Sequence, residues 1–127
     1  MSLEKEITLR AFGAEIVRTP TEVPSASEYS NIGVAKRLQK LIPGGVILDQ
    51  YNNPANPDAH EFGTGHEIIE AIANTPSTPS HPSSGRVDVF FAGAGTGGTI
   101  TGTSKAIKRR HPNAIVVGID PVSTDGV

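Results

Sequence analysis

Gly93-Ala94-Gly95-Thr96-Gly97-Gly98-Thr99 is the stretch whose chemistry is most legible in the sequence. It lies between an apolar run, Val87-Asp88-Val89-Phe90-Phe91, that reads as a buried strand, and a segment from about Ile100 to Arg110 that reads as a helix. Backbone N–H groups in a first helical turn have no acceptor inside the helix. Glycines let the chain ahead of that turn curl until several donors converge. Such a turn suits an anion, a phosphate group above all. The hydroxyls of Thr96 and Thr99 add side-chain donors.

Three ligand readings compete for these residues. Gly93, Gly95 and Gly98 satisfy G-x-G-x-x-G, and Asp120 closes the next apolar run about where a ribose-binding acid is expected. That motif normally sits on the first strand of a dinucleotide fold, whereas at least two strands are predicted ahead of it here. Threonine hydroxyls suit a terminal phosphate monoester better than a bridging pyrophosphate. Asp120 precedes Pro121, so it reads equally well as a cap or turn residue. A glycine turn with no ligand is the third reading.

The elements that must carry this loop follow from periodicity and punctuation. Leu3, Ile7 and Ala11 repeat along one face of a first helix, with Ser2 as N-cap and Gly13 as stop. Glu15–Thr19 reads as a strand ended by Pro20, and Glu22–Ser27 as a polar loop. Ile32–Ile42 reads as a second helix, ended by Pro43-Gly44-Gly45, and Val46–Leu48 as a short buried strand. Asp49–Gly63 carries Asn and Pro at turn positions and reads as a loop. Thr64-Gly65-His66-Glu67 matches a capping box opening a third helix. Asn74–Gly85 is rich in Pro, Ser and Thr and reads as a flexible surface insertion. Ala114–Ile119 is a last strand.

Helices alternating with strands predict an α/β fold: a parallel, twisted sheet covered by helices. The chain opens on a helix and stops soon after a strand, so it reads as the middle of a larger domain. It has 127 residues, 36% of them hydrophobic, and a formal charge of −2. No basic excess points to nucleic acid. The absence of cysteine excludes disulfides and thiolate metal sites. No apolar run approaches a membrane span and no signal-peptide pattern opens the chain, so a cytoplasmic location is expected. His60, Glu61, His66 and Glu67 lack metal-site spacing. His60 reads as a packing or loop residue, Glu67 as a cap, and Lys105–Arg110 as a solvated helix end, so no metal is expected.

Gly95-Thr96-Gly97-Gly98-Thr99-Ile100-Thr101-Gly102 resembles the cofactor-phosphate loop of the fold type II pyridoxal-phosphate enzymes. Within that family, Ile47–Asn53, Asn56–His60 and Leu9–Thr21 are similar to the cystathionine β-synthase type, and Ile32–Leu38 agrees in type and order. Asn53–Pro57 suits cysteine synthase as well. The resemblance covers nearly all of the chain except residues 74–85. It implies that residues 1–127 are an incomplete part of such a catalytic domain. It implies pyridoxal 5'-phosphate as cofactor, its phosphate held by Gly95, Thr96, Gly97, Gly98 and Thr99. It implies that Gln50 and Tyr51 line the substrate entrance and help hold an amino-acid carboxylate, a task suited to an amide and a phenol.

The implied reaction is β-replacement on a small amino acid such as serine. The β-substituent leaves and a thiol adds, homocysteine in cystathionine synthesis and sulfide in cysteine synthesis. The full-length parent is expected to be a homo-oligomer acting in the cytoplasm. The family's cofactor-attaching lysine lies upstream of a Ser-Gly-Asn-Thr-Gly substrate loop, and neither appears here. Met1–Lys5 aligns with a stretch after both. Lys5, Lys36, Lys40, Lys105 and Lys108 have no family claim to the cofactor. No catalytic residue is therefore assigned, and the chain alone is expected to be inactive. Its unfinished sheet is expected to promote self-association.

Overall fold

The computed structural model describes residues 2–24 and 26–120. Met1, Ser25 and residues 121–127 lie outside them. The described chain divides into two compact units between Ile47 and Leu48.

The first unit carries two helices. Helix α1 spans Leu3–Ala11, with Ser2 as an extended N-cap and Glu4 and Glu6 in its first turn, where carboxylates complement the dipole. The carboxyl of Glu4 is held below its usual value, first by its own backbone N–H and then by the Ser2 hydroxyl. Arg10 pairs with Glu6 at 3.1 Å, and Arg18 reaches the same carboxylate at 3.4 Å. Gly13, at φ +83°, ends the helix. Helix α2 spans Asn31–Leu41, capped by Ser30, whose Oγ accepts from the Gly33 amide at 3.0 Å.

Two expected strands do not form. Glu15–Thr19 runs without a ladder partner. Val46–Leu48 is also unpaired, and Val46 and Leu48 are both 78% exposed rather than buried. Apolar and β-branched composition favours a strand only where a neighbour completes the hydrogen-bond ladder.

The second unit begins with a correction to the expected loop. Residues 55–73 form one continuous helix: α3 (Ala55–Ala59), a π-helical turn (His60–Thr64) and α4 (Gly65–Ala73). Pro57 falls in the first turn, where its missing N–H has no helical acceptor to lose, so it does not break the helix. Thr64 is therefore not an N-cap. It sits at φ −48°, ψ −43° in mid-helix, and Glu67 is exposed on α4 rather than closing a capping box.

Strands β1 (Val89–Gly93) and β2 (Ile115–Ile119) pair in parallel, in register from Val89 opposite Ile115 to Gly93 opposite Ile119. Helix α5 (Gly98–Arg110) makes the crossover. The fold is α/β with a parallel sheet, as expected, but among the described residues the sheet has two strands. The core joins Val87, Ile107 and Ala114 to Ile68, Ile69, Ile72 and Phe90. Val89, Phe91, Ile115 and Ile119 remain exposed. Residues 74–88 are irregular and tied by local bonds, such as the reciprocal backbone pair of Thr78 and His81 at 3.1 Å. No helix among the described residues is long and apolar enough to cross a membrane.

Candidate phosphate site

Pairing of the two strands delivers the glycine loop. The Ala94 amide donates to the Ile119 carbonyl at 3.1 Å, so the ladder continues just past β1 and places the loop at the carboxyl end of the parallel pair. Gly97 then turns the chain at φ +82°, a left-handed conformation that glycine adopts without a Cβ penalty, and serves as the N-cap of α5. The Thr101 amide donates to the Gly97 carbonyl at 3.0 Å. The amides of Gly98, Thr99 and Ile100 are consequently left without an intrahelical acceptor, and no side chain caps them. A β-carbon at Gly95 would meet nothing within 4 Å, so that face of the loop is open.

The start of α3 meets this loop. Asn56 donates from Nδ2 to the Thr96 Oγ1 at 2.9 Å and to the Gln50 carbonyl at 2.7 Å. Its amide also fills the space that a side chain at Gly98 would need. Gln50 belongs to a turn built by Asp49, at φ +45°, whose carbonyl accepts from the Asn53 amide at 2.8 Å. Asn53 tightens that turn further, donating from Nδ2 to the Leu48 carbonyl at 2.9 Å and accepting from the Ala55 amide at 3.0 Å. The result is an open depression of about 170 Å³ lined by Gln50, Tyr51, Asn56, Thr96, Gly97 and Gly98, among others. The two residues expected at the substrate entrance and three of the five expected at the phosphate thus share one depression. Gly95 lies in the loop beside it, and Thr99 turns toward the π-helical segment.

There His60 bridges two hydroxyls. Its Nε2 lies 3.1 Å from Thr99 Oγ1 and its Nδ1 3.0 Å from Thr64 Oγ1. His60 is therefore a helical bridging residue, not a loop residue. Glu61, next along, is 3% exposed and pairs with Lys105 at 3.3 Å and with Arg109. Two cations of the expected solvated helix end are thus engaged in clamping α5 to the π-helical turn. At the crossing, Gly102 packs so closely that a β-carbon would overlap the Pro57 carbonyl and the Glu61 amide. Sequence reasoning assigned no role to Asn56 or Glu61. The one available signal was the run of helix-compatible residues after Pro57.

The donor set suits a phosphate. It combines helix-start amides, a turn glycine and a threonine hydroxyl, as a dianion requires. The lysines of this unit lie elsewhere on α5. Lys105 pairs with Glu61, and Lys108 donates to the Pro112 carbonyl at 3.4 Å. They sit about 10 and 15 Å along the helix axis from Gly98, at 1.5 Å per residue. Asp120 is exposed at the end of β2, and the expected strands ahead of β1 are missing, so position in the fold does not by itself discriminate against a dinucleotide.

Comparison with known proteins does. The sequence matches the family described as "Pyridoxal-phosphate dependent enzyme" across residues 1–127, and the chain belongs to that family. Solved structures with the same fold include a hydrogen sulfide-producing enzyme of Fusobacterium nucleatum, with a TM-score of 0.76 and 31% identity over 95% of this chain and 33% of that one. A variant hydrogen sulfide-producing enzyme solved with α-aminoacrylate gives a TM-score of 0.79 and 30% identity over 96% of this chain and 34% of that one. These are fold type II enzymes, and pyridoxal phosphate is the family's cofactor.

Among curated proteins, the chain is 50% identical over 121 residues to the cystathionine β-synthases of Dictyostelium discoideum and Saccharomyces cerevisiae. It is 46% identical to that of Rattus norvegicus. Each match covers 95% of this chain, but only 22%, 23% and 20% of those three proteins respectively. The chain thus spans about a fifth of the length of these relatives.

Proposed function

We propose that this chain forms the phosphate-holding portion of a β-replacement enzyme that makes cystathionine from serine and homocysteine. The observation that carries this reading is the uncapped start of α5, with its amides and the Thr96 hydroxyl gathered beside Gln50 and Tyr51. Gly95, Thr96, Gly97, Gly98 and Thr99 receive the phosphate monoester of pyridoxal phosphate. When bound, the cofactor supplies an electron sink for chemistry at the substrate's α- and β-carbons. The Gln50 amide and the Tyr51 phenol hold the amino-acid carboxylate and orient it beside the loop. The chain by itself binds the cofactor without turning substrate over, since no lysine of the second unit is placed at the loop.

The choice of homocysteine follows the curated relatives, which are cystathionine β-synthases. A second reading, cysteine synthesis from sulfide and an activated serine, follows the likeness of Asn53–Pro57 to cysteine synthase; the solved relatives are described as producing hydrogen sulfide, the opposite direction of sulfide transfer. A chimera decides. The matching 121 residues of the Dictyostelium cystathionine β-synthase are replaced by those of this chain, and the product formed from serine with homocysteine, or from an activated serine with sulfide, is followed. Cystathionine formation supports the first reading, and cysteine as the sole product supports the second. A folded chimera that binds no pyridoxal phosphate overturns both.

A further inference from the structure

We infer that Asn56 is a positioning residue that fixes the Thr96 hydroxyl as a hydrogen-bond donor into the phosphate seat, an inference that rests on the phosphate reading above. The argument is one of donors and acceptors. The Gln50 carbonyl, 2.7 Å from Asn56 Nδ2, can only accept, so the amide nitrogen must face it. That fixes which end of the Asn56 amide is nitrogen and which is oxygen. The second N–H on Nδ2 then points at Thr96 Oγ1, 2.9 Å away. Thr96 Oγ1 must accept this bond, and its own hydrogen is turned away from Asn56. A threonine hydroxyl alone rotates freely between roles. One whose oxygen is already receiving a bond presents its hydrogen to an incoming anion, with no reorientation on binding.

The same two bonds connect the turn that carries Gln50 to the loop that carries Thr96, which are otherwise far apart in sequence. Asn56 thereby holds the proposed carboxylate-binding segment in register with the phosphate seat. The Gly98 backbone, packed against the Asn56 amide, keeps that amide from swinging away.

The test is a double-mutant cycle on the full 127-residue chain, read as the dissociation constant for pyridoxal phosphate and for inorganic phosphate. Asn56→Ala and Thr96→Val are each expected to weaken both ligands about tenfold, the loss of one charge-assisted bond. If Asn56 acts through Thr96, the double variant is also weakened about tenfold. Unfolding midpoints without ligand separate this loss from a general loss of stability. Where Asn56→Ala does not fold, Asn56→Asp keeps the side-chain volume. Its carboxylate would draw the Thr96 hydrogen inward and repel the anion, so a loss of about a hundredfold is expected. A folded Asn56 variant with unchanged affinity, or a double variant weakened about a hundredfold because the losses add, overturns the inference while leaving the phosphate reading standing. A folded wild-type chain that binds neither ligand overturns that reading and the inference with it.

Discussion

The side-chain amide of Asn56 occupies the space into which a β-carbon at Gly98 would project, so helix α3 and the glycine loop interlock there, backbone against amide. Gly98→Ala is expected to force the loop and the helix apart. Overpacking of this kind costs about 1–3 kcal/mol. Thermal unfolding should register that loss, and pyridoxal phosphate affinity should fall with it. Gly95→Ala is the control. A β-carbon there meets nothing within 4 Å, so stability should change by less than about 0.5 kcal/mol. Any loss of affinity in that variant then comes from crowding the ligand.

Two other glycines in helical backbone should respond to alanine with opposite sign. Gly102 lies against the Pro57 carbonyl and the Glu61 amide, backbone atoms that cannot rotate aside. Alanine gains about 1 kcal/mol of helix propensity, but separating two packed helices costs more. Gly102→Ala should therefore destabilise by about 1–3 kcal/mol. A β-carbon at Gly63 would meet nothing within 4 Å. Gly63→Ala should stabilise by up to about 1 kcal/mol. Urea titration of both variants checks the pair, and equal signs would contradict the helix crossing described above.

Glu61 is buried while its partners are not, and the asymmetry has a measurable consequence. The side chains of Lys105 and Arg109 are 53% and 65% exposed, against 4% for Glu61. Removing both cations leaves a buried carboxylate unpaired, at a cost of about 3 kcal/mol. Glu61→Gln leaves two cations already largely in water and should cost about 1 kcal/mol, one hydrogen bond's worth. The combined Lys105→Ala, Arg109→Ala variant should thus unfold at clearly lower urea than Glu61→Gln. The reverse order would show that the carboxylate is hydrated.

Pyridoxal phosphate added to the chain should bind through its phosphate alone. Lys105 is engaged by Glu61 and Lys108 by the Pro112 carbonyl, both well along α5 from the loop. Borohydride treatment of the mixture should leave no cofactor fixed to either lysine, and serine with homocysteine should give no cystathionine. Mass spectrometry of the reduced chain is the check. A single stoichiometric adduct accompanied by turnover would refute the proposal that the chain alone is inactive.

The segments nearest the glycine loop were legible because their signals are local. The apolar run at β1, the glycines after it, the helix period through Ile107 and the last apolar run each need only a few neighbouring residues to be understood. Glu15–Thr19 and Val46–Leu48 misled for the opposite reason. Whether an apolar run becomes a strand depends on a partner that the run itself does not specify. The later part of the helix at residues 55–73 was read as a helix, but its first turns were hidden by Asn and Pro, residues that also serve as turn formers.

What the sequence determined by itself is the family and the glycine turn ahead of α5, because a left-handed glycine and an uncapped helix start follow from residue types in order. What only the tertiary structure decided is the support of that turn. Asn56 acquires meaning from Thr96, forty residues away, and His60 from Thr99 at nearly the same separation. Glu61 reads as an ordinary surface acid until α5 is laid across it. Hydrogen bonds and charge burial between distant segments depend on where the folded backbone brings them, and nothing in the neighbouring residues encodes that position.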